Sequence, residues 1–169
     1  MSRAFTLLEL LVAIAILAIL VAISVPGALA VFKRVHSAGC LDNLRSIGVG
    51  LNLYLADHDQ RMPDLHGSRS SIHDDVPVID DILTPYLQKS SVFRCPFDSE
   101  VASLTGTSYS WNTFLNKQTV ASLKFVLGSW VFDRPSDIPI LNDKKDWHAG
   151  RKNFLYADGS AGNHPLTPR

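Results

Sequence analysis

Charge of one sign is missing from this sequence: sixteen Lys and Arg stand against sixteen Asp and Glu, giving a formal charge of zero. That balance supplies no basic footprint for nucleic acid and no acidic interaction tail. No His-Glu-x-x-His, Gly-x-Ser-x-Gly, phosphate-binding loop or dinucleotide glycine motif occurs. The usual signatures of metalloprotease, hydrolase and nucleotide chemistry are therefore absent, and the chain is not read as an enzyme. Cysteine is scarce too. Cys40 and Cys95 are the only two, and they form no Cys-x-x-Cys pair, so their spacing points to no metal or redox centre. With 169 residues, the chain suits one globular domain plus an extension rather than two full domains.

What is present is unevenly distributed. Leu10 to Phe32 is a nearly continuous apolar run of 23 residues with Ser24 as its only hydroxyl residue and no charge. A helix of that length is enough to cross the roughly 30 Å of bilayer hydrocarbon. A secretory signal peptide has an apolar core of only about 7 to 15 residues, so the length favours a retained anchor. Ala28-Leu29-Ala30 nevertheless has the look of a signal-peptidase site. Cleavage there would release a soluble protein, with His148 and Asp158 as a candidate acid and base. Glu9 sits one residue before the run. Intramembrane ionisable groups are costly and are usually paired and functional, whereas at the headgroup interface the cost is small. Pro26-Gly27 interrupts the run, and proline removes a backbone donor and clashes with the carbonyl of Ala22 four residues back. A kink, or the end of the membrane helix, is expected there.

Beyond Lys33-Arg34, helical spacing resumes with Cys40, Leu44, Ile47, Leu51, Tyr54 and His58. These steps of four and three form the stripe of an amphipathic helix laid on a core. Gly48 and Gly50 weaken that helix by about 1 kcal/mol each relative to Ala, or mark the close approach of a sheet. Gln60 to Asp81 reads as a long loop, which is usually functional or mobile. A short helix follows at Ile79 to Leu87. Strands are expected at Ser108 to Trp111, Leu123 to Phe132, Asn153 to Ala157 and Ser160 to His164, with Asp158-Gly159 as a two-residue hairpin turn. The fold class is therefore α+β: a long amino-terminal helix packed against a small antiparallel sheet.

The stretch Ala4-Phe5-Thr6-Leu7-Leu8-Glu9-Leu10-Leu11-Val12 resembles the amino-terminal signature of type IV prepilins and type II secretion pseudopilins. The resemblance implies a leader at residues 1–4, removed by a prepilin peptidase between Ala4 and Phe5, with N-methylation of the new Phe5 amine. The chain departs from the pattern at the residue before the cut, which is usually Gly in that family and here is Ala4, also small. It further implies that the Glu9 carboxylate, one helical turn from Phe5, pairs with the amine of a neighbouring subunit during assembly. The organisation that follows is 5–32 as membrane and filament-core helix, 33–58 as its amphipathic second half and 59–169 as the head. The implied partners are identical or related pilin subunits, the prepilin peptidase, an inner-membrane assembly platform and the membrane itself. The charge flanks, Arg3 before the run and Lys33-Arg34 after it, do not place the head outside the cytoplasm. The resemblance and the cysteines do.

In such a compartment an even cysteine count favours a Cys40–Cys95 disulfide, worth roughly 4 kcal/mol in the chain-entropy account; two buried free thiols are the alternative. His148, followed by nine residues and then Asp158-Gly159, resembles the carboxy-terminal His-x9-Asp-Gly element of a prepilin-type subgroup. Cys40 to Arg45, Phe93 to Pro96 and Ser108 to Asn112 fit the same pattern. The simplest account makes Asp158-Gly159 a turn and has His148 pack or hydrogen-bond near the start of a strand. No cofactor is expected, although Asp74, Asp75, Asp80 and Asp81 could supply oxygen ligands to calcium. The remaining alternative is a membrane-anchored adhesion or ligand-binding module that uses the loop after Gln60.

Overall fold

The computed structural model describes residues 6–148 and 150–163, and for residues 25–30 the backbone alone. The chain divides into two compact units, Met1–His36 and Ser37–Arg169. Helix α1 (Leu7–Asp57) contributes to both. Within the first unit every described side chain from Thr6 to Ser24 is exposed. The helix runs through Pro26 and Gly27, so it does not end at the proline; the side chain of Pro26 lies outside the described residues.

In the second unit the picture inverts. Cys40, Leu44, Ile47, Leu51 and Leu55 of α1 are buried in one cluster. Burying an aliphatic side chain of this kind contributes about 1.5 to 3 kcal/mol, so this stripe holds the helix to the head. The stripe drifts at its end. Tyr54 is only partly buried and His58 is exposed beyond the last turn, because steps of four carry the face to Leu55. Burial begins near Cys40 rather than at Lys33, since 31–36 are exposed.

The sheet has four antiparallel strands in the order β1 (Tyr109–Trp111), β4 (Pro139–Asp143), β5 (Phe154–Tyr156) and β6 (Ala161–Gly162). Register places Trp111 beside Leu141, Leu141 beside Leu155, and Leu155 beside Ala161. Alternate residues share a face, so this row and the neighbouring Tyr109↔Asp143 pair lie on the core side. A separate hairpin, β2 (Phe125–Leu127) with β3 (Trp130–Phe132), pairs Phe125 with Phe132. Val126, Leu127, Trp130 and Val131 of that hairpin stay exposed.

Several expected elements are redrawn. The single strand Leu123 to Phe132 is this hairpin, because Gly128 adopts φ 60° and reverses the chain. Strand β4 was not expected: Pro139 opens it and Asn142-Asp143 close it, residues that read as loop. The helix from Ile79 to Leu87 is α2 (Ile79–Leu83) followed by a 3-10 turn, Thr84–Tyr86, around Pro85. The Gln60–Asp81 segment is not a free loop. It places Met62, Leu65, Val78 and Ile79 in the interior, and the backbone N–H of Met62 donates to the Gln118 carbonyl at 2.8 Å. The Asp158-Gly159 connection is longer than two residues. Gly159 N–H donates to Tyr156 O and Tyr156 N–H to Ser160 O, both at 2.9 Å, with Gly159 at φ 82°, the pattern of a three-residue loop with a glycine bulge. The strand after it is Ala161–Gly162, and His164 lies outside the described residues.

Candidate functional site

The first unit builds its site from one helix start. Thr6 precedes the first helical residue, and its N–H and hydroxyl both donate to the Glu9 Oε2 at 2.9 Å. Glu9 N–H donates back to the Thr6 Oγ1 at 3.2 Å. This reciprocal Thr-x-x-Glu arrangement is a capping box, in which the carboxylate satisfies donors that the helix leaves unpaired. Beside the partner in another subunit that the resemblance implies, Glu9 has one in its own chain, Thr6. The signal, a Thr three residues before an acid ahead of an apolar run, was available. Ala4 and Phe5 lie outside the described residues.

From Leu7 to Ser24 the helix is long and apolar enough to cross a membrane, and none of it is buried. Leu7 is 82% and Ile23 70% exposed. A helix that is apolar on all sides belongs in lipid or among other apolar helices. Ser24, its one hydroxyl residue, is exposed and donates to the Leu20 carbonyl at 2.7 Å, which satisfies the hydroxyl within the helix itself.

In the second unit Cys40 and Cys95 form a disulfide with 4.8 Å between their Cα atoms. Both residues are fully buried. The three segments singled out by sequence converge around it. Asn43 Nδ2 donates to the Arg94 carbonyl at 2.7 Å, and the Tyr109 hydroxyl reaches the Cys40 carbonyl at 3.5 Å. Cys95 N–H donates to the Ser108 Oγ at 2.9 Å, and that hydroxyl donates to Asp98 Oδ2 at 2.6 Å. Asp98 also accepts from the backbone N–H groups of Glu100, Val101 and Ala102 at 2.7 to 2.9 Å. Burial works against its ionisation, but the Ser108 hydroxyl and these N–H donors outweigh it and hold the carboxyl below its ordinary value.

His148 stands against the same disulfide. Its Nε2 lies 3.8 Å from Cys95 Sγ and 3.2 Å from Asp143 Oδ2, and its ring meets Phe97 edge-on at 5.2 Å. Asp143 reaches this place because it shares the core face of β4 with Leu141, and its Oδ2 accepts from Asn153 N–H at 2.7 Å. Burial pushes the Asp143 carboxyl up to about 7 despite that hydrogen bond, and burial pushes the His148 imidazole down. Asp143 Oδ1 and His148 Nδ1 have no hydrogen-bond partner among the described residues. The same His148 nitrogen faces both the carboxylate and the sulfur. A nucleophile–base–orienter relay uses the two ring nitrogens separately, so the geometry is not that of a Cys-His-Asp hydrolase.

The other residues singled out from sequence do not join this cluster. Asp158 closes its own turn, accepting from Ser160 N–H at 2.9 Å and from the Ser160 hydroxyl at 2.6 Å. Asp80 and Asp81 are taken by Arg69, and Asp74 accepts from Ser70 and Ser71 N–H at 2.9 Å. His58 stacks on Tyr54 at 3.8 Å between ring centroids.

Residues 1–25 match the family described as the prokaryotic N-terminal methylation motif. Over that segment the chain is prepilin-like. The motif and the apolar helix it contains fit a membrane-anchored protein with an extracytoplasmic head. No curated protein and no solved structure matches the chain.

Proposed function

We propose that this protein is a structural subunit of a type IV pilus or type II secretion pseudopilus-like filament. In this reading a prepilin peptidase cuts between Ala4 and Phe5, the Phe5 amine is methylated, and the subunit assembles through its amino-terminal helix. The observation that carries it is the all-round exposure of Leu7 to Ser24, within the segment that matches the methylation motif. Lipid satisfies such a surface before assembly, and like helices of identical or related subunits satisfy it afterwards.

Glu9 then has two roles in succession. In the single chain its carboxylate closes the helix start on Thr6. In the filament it accepts the methylated amine of a neighbour, and a carboxylate has room for both because each oxygen takes about two hydrogen bonds. A buried charge pair of this kind costs roughly 3 to 5 kcal/mol when one partner is removed, which gives the pairing its register.

The test is the mature amino terminus of membrane-associated protein from the native host, read by mass spectrometry. An N-methylated Phe5 start is expected. A chain that begins at Val31 would replace the filament with a secreted head, and one that keeps Met1 would leave a membrane-anchored module.

A further inference from the structure

Cys40 Sγ, Cys95 Sγ and a ring nitrogen of His148 all lie within 4.8 Å of one another, and all three residues are buried. Asp143 Oδ2 adds an oxygen 3.2 Å from His148 Nε2. Two soft sulfurs, an imidazole and a carboxylate are a donor set that suits zinc. The spacing suits it as well. Zinc bonds of about 2.3 Å to sulfur and 2.0 to 2.2 Å to nitrogen and oxygen give tetrahedral edges of roughly 3.6 Å for N···S and 3.4 Å for N···O. The observed separations are 3.8 Å from Cys95 Sγ to His148 Nε2 and 3.2 Å from His148 Nε2 to Asp143 Oδ2. The sulfur pair has to part, to about 3.8 Å.

We propose that the reduced form of the head binds one zinc ion through Cys40 Sγ, Cys95 Sγ, His148 Nε2 and Asp143 Oδ2. The same two cysteines then hold α1 to the head either as a disulfide or as metal thiolates. Packing alone accounts poorly for a carboxylate and an imidazole that are 0% and 3% exposed; Asp143 Oδ1 and His148 Nδ1, which have no partner among the described residues, stay outside the ligand set. The two side chains cost free energy in the interior, and metal ligation in the thiol state returns part of it. Two thiolates and one carboxylate against a dication leave a single net negative charge, and the Lys152 ammonium already acts on Asp143.

The exchange balances. A trialkylphosphine delivers two electrons to the disulfide and takes the oxygen of one water, leaving two thiols; zinc then displaces their two protons. Both sulfurs are inaccessible in the closed head, so the chain is reduced in denaturant and refolded without oxygen.

The experiment uses the full chain in detergent, refolded in the reduced state with Co(II) as the spectroscopic probe. One Co(II) per chain is expected, with the intense visible bands of a tetrahedral ion and a thiolate charge-transfer band. The oxidised chain should show neither. His148→Ala and Asp143→Asn should each lower the affinity by about tenfold or more, at least the cost of losing an outer partner. On the unmodified chain, zinc should slow alkylation of both thiols, a readout that needs no variant. Absence of a tetrahedral spectrum together with unprotected thiols overturns the proposal, as does a His148→Ala chain of unchanged affinity.

Discussion

A Cβ built on Gly48 would stand 3.1 Å from the Cδ1 of Leu155, so α1 and β5 meet through a side chain that is not there. Gly50 does the same against Leu87, at 2.8 Å. These two glycines are tolerated in the helix because the gain in approach offsets their conformational cost. Gly48→Leu should therefore destabilise the head by about 1 to 3 kcal/mol, the usual cost of overpacking. Thermal unfolding of the full chain in detergent reads the shift. A rise in melting temperature would show that helix propensity dominates at this position.

Thr6 and Glu9 can be separated by assembly. Thr6→Ala removes the cap and should cost about 1 kcal/mol at the helix start, while leaving the carboxylate free for a neighbour. Filament yield is expected to fall modestly. Glu9→Ala removes both partners and should abolish filaments while membrane insertion persists. Sheared filaments against total membrane-bound subunit give the ratio. Equal losses in the two variants would mean that the cap, and not pairing between subunits, is what assembly needs.

The Asp98 carboxylate links the start of α3 (Val101–Thr105) to the disulfide region. Its pKa is lowered in the folded head, so its contribution is present above the ordinary carboxylate value of 3.8 and disappears as pH falls through the lower folded value. Asp98→Ala should cost about 1.5 to 3 kcal/mol at neutral pH, the range for hydrogen bonds to a charged group. The gap between the two proteins should narrow below pH 3.8. Urea midpoints at pH 7 and at pH 3 check both halves, and a gap that is unchanged with pH would assign the loss to packing.

Replacing Cys40 and Cys95 together with Ala should cost roughly 4 kcal/mol, since the bond closes a segment of sequence separation 55. Because both sulfurs are buried, the wild-type bond should resist a phosphine in native buffer and yield quickly in denaturant. Mass-resolved alkylation distinguishes the two conditions.

The helix and the apolar run were legible because their signals are local: Leu10 to Phe32 and the Cys40–Leu44–Ile47–Leu51 steps are periodicities within one segment. The strands were legible in part. Phe125 and Phe132 belong to one apolar stretch, and only the conformation at Gly128 divides it. Strand β4 ends in Asn142-Asp143, and nothing nearby in sequence says that Asp143 will turn to the core. The same is true of His148, 53 residues from Cys95, whose contact with the sulfur depends on the register of β4 and on the chain closing over it. Local pattern names elements; which side chains meet is fixed by packing between segments far apart in sequence.

The Cys40–Cys95 bond also decides how the head would answer a pulling force. Tension that enters along the chain before Cys40 is handed across to Cys95, and the residues between them are bypassed. Fully extended, 55 residues would release on the order of 180 Å of contour at about 3.3 Å each. With the bond intact that length cannot be drawn out, and the backbone of the core stripe from Leu44 to Leu55 lies inside the bypassed segment.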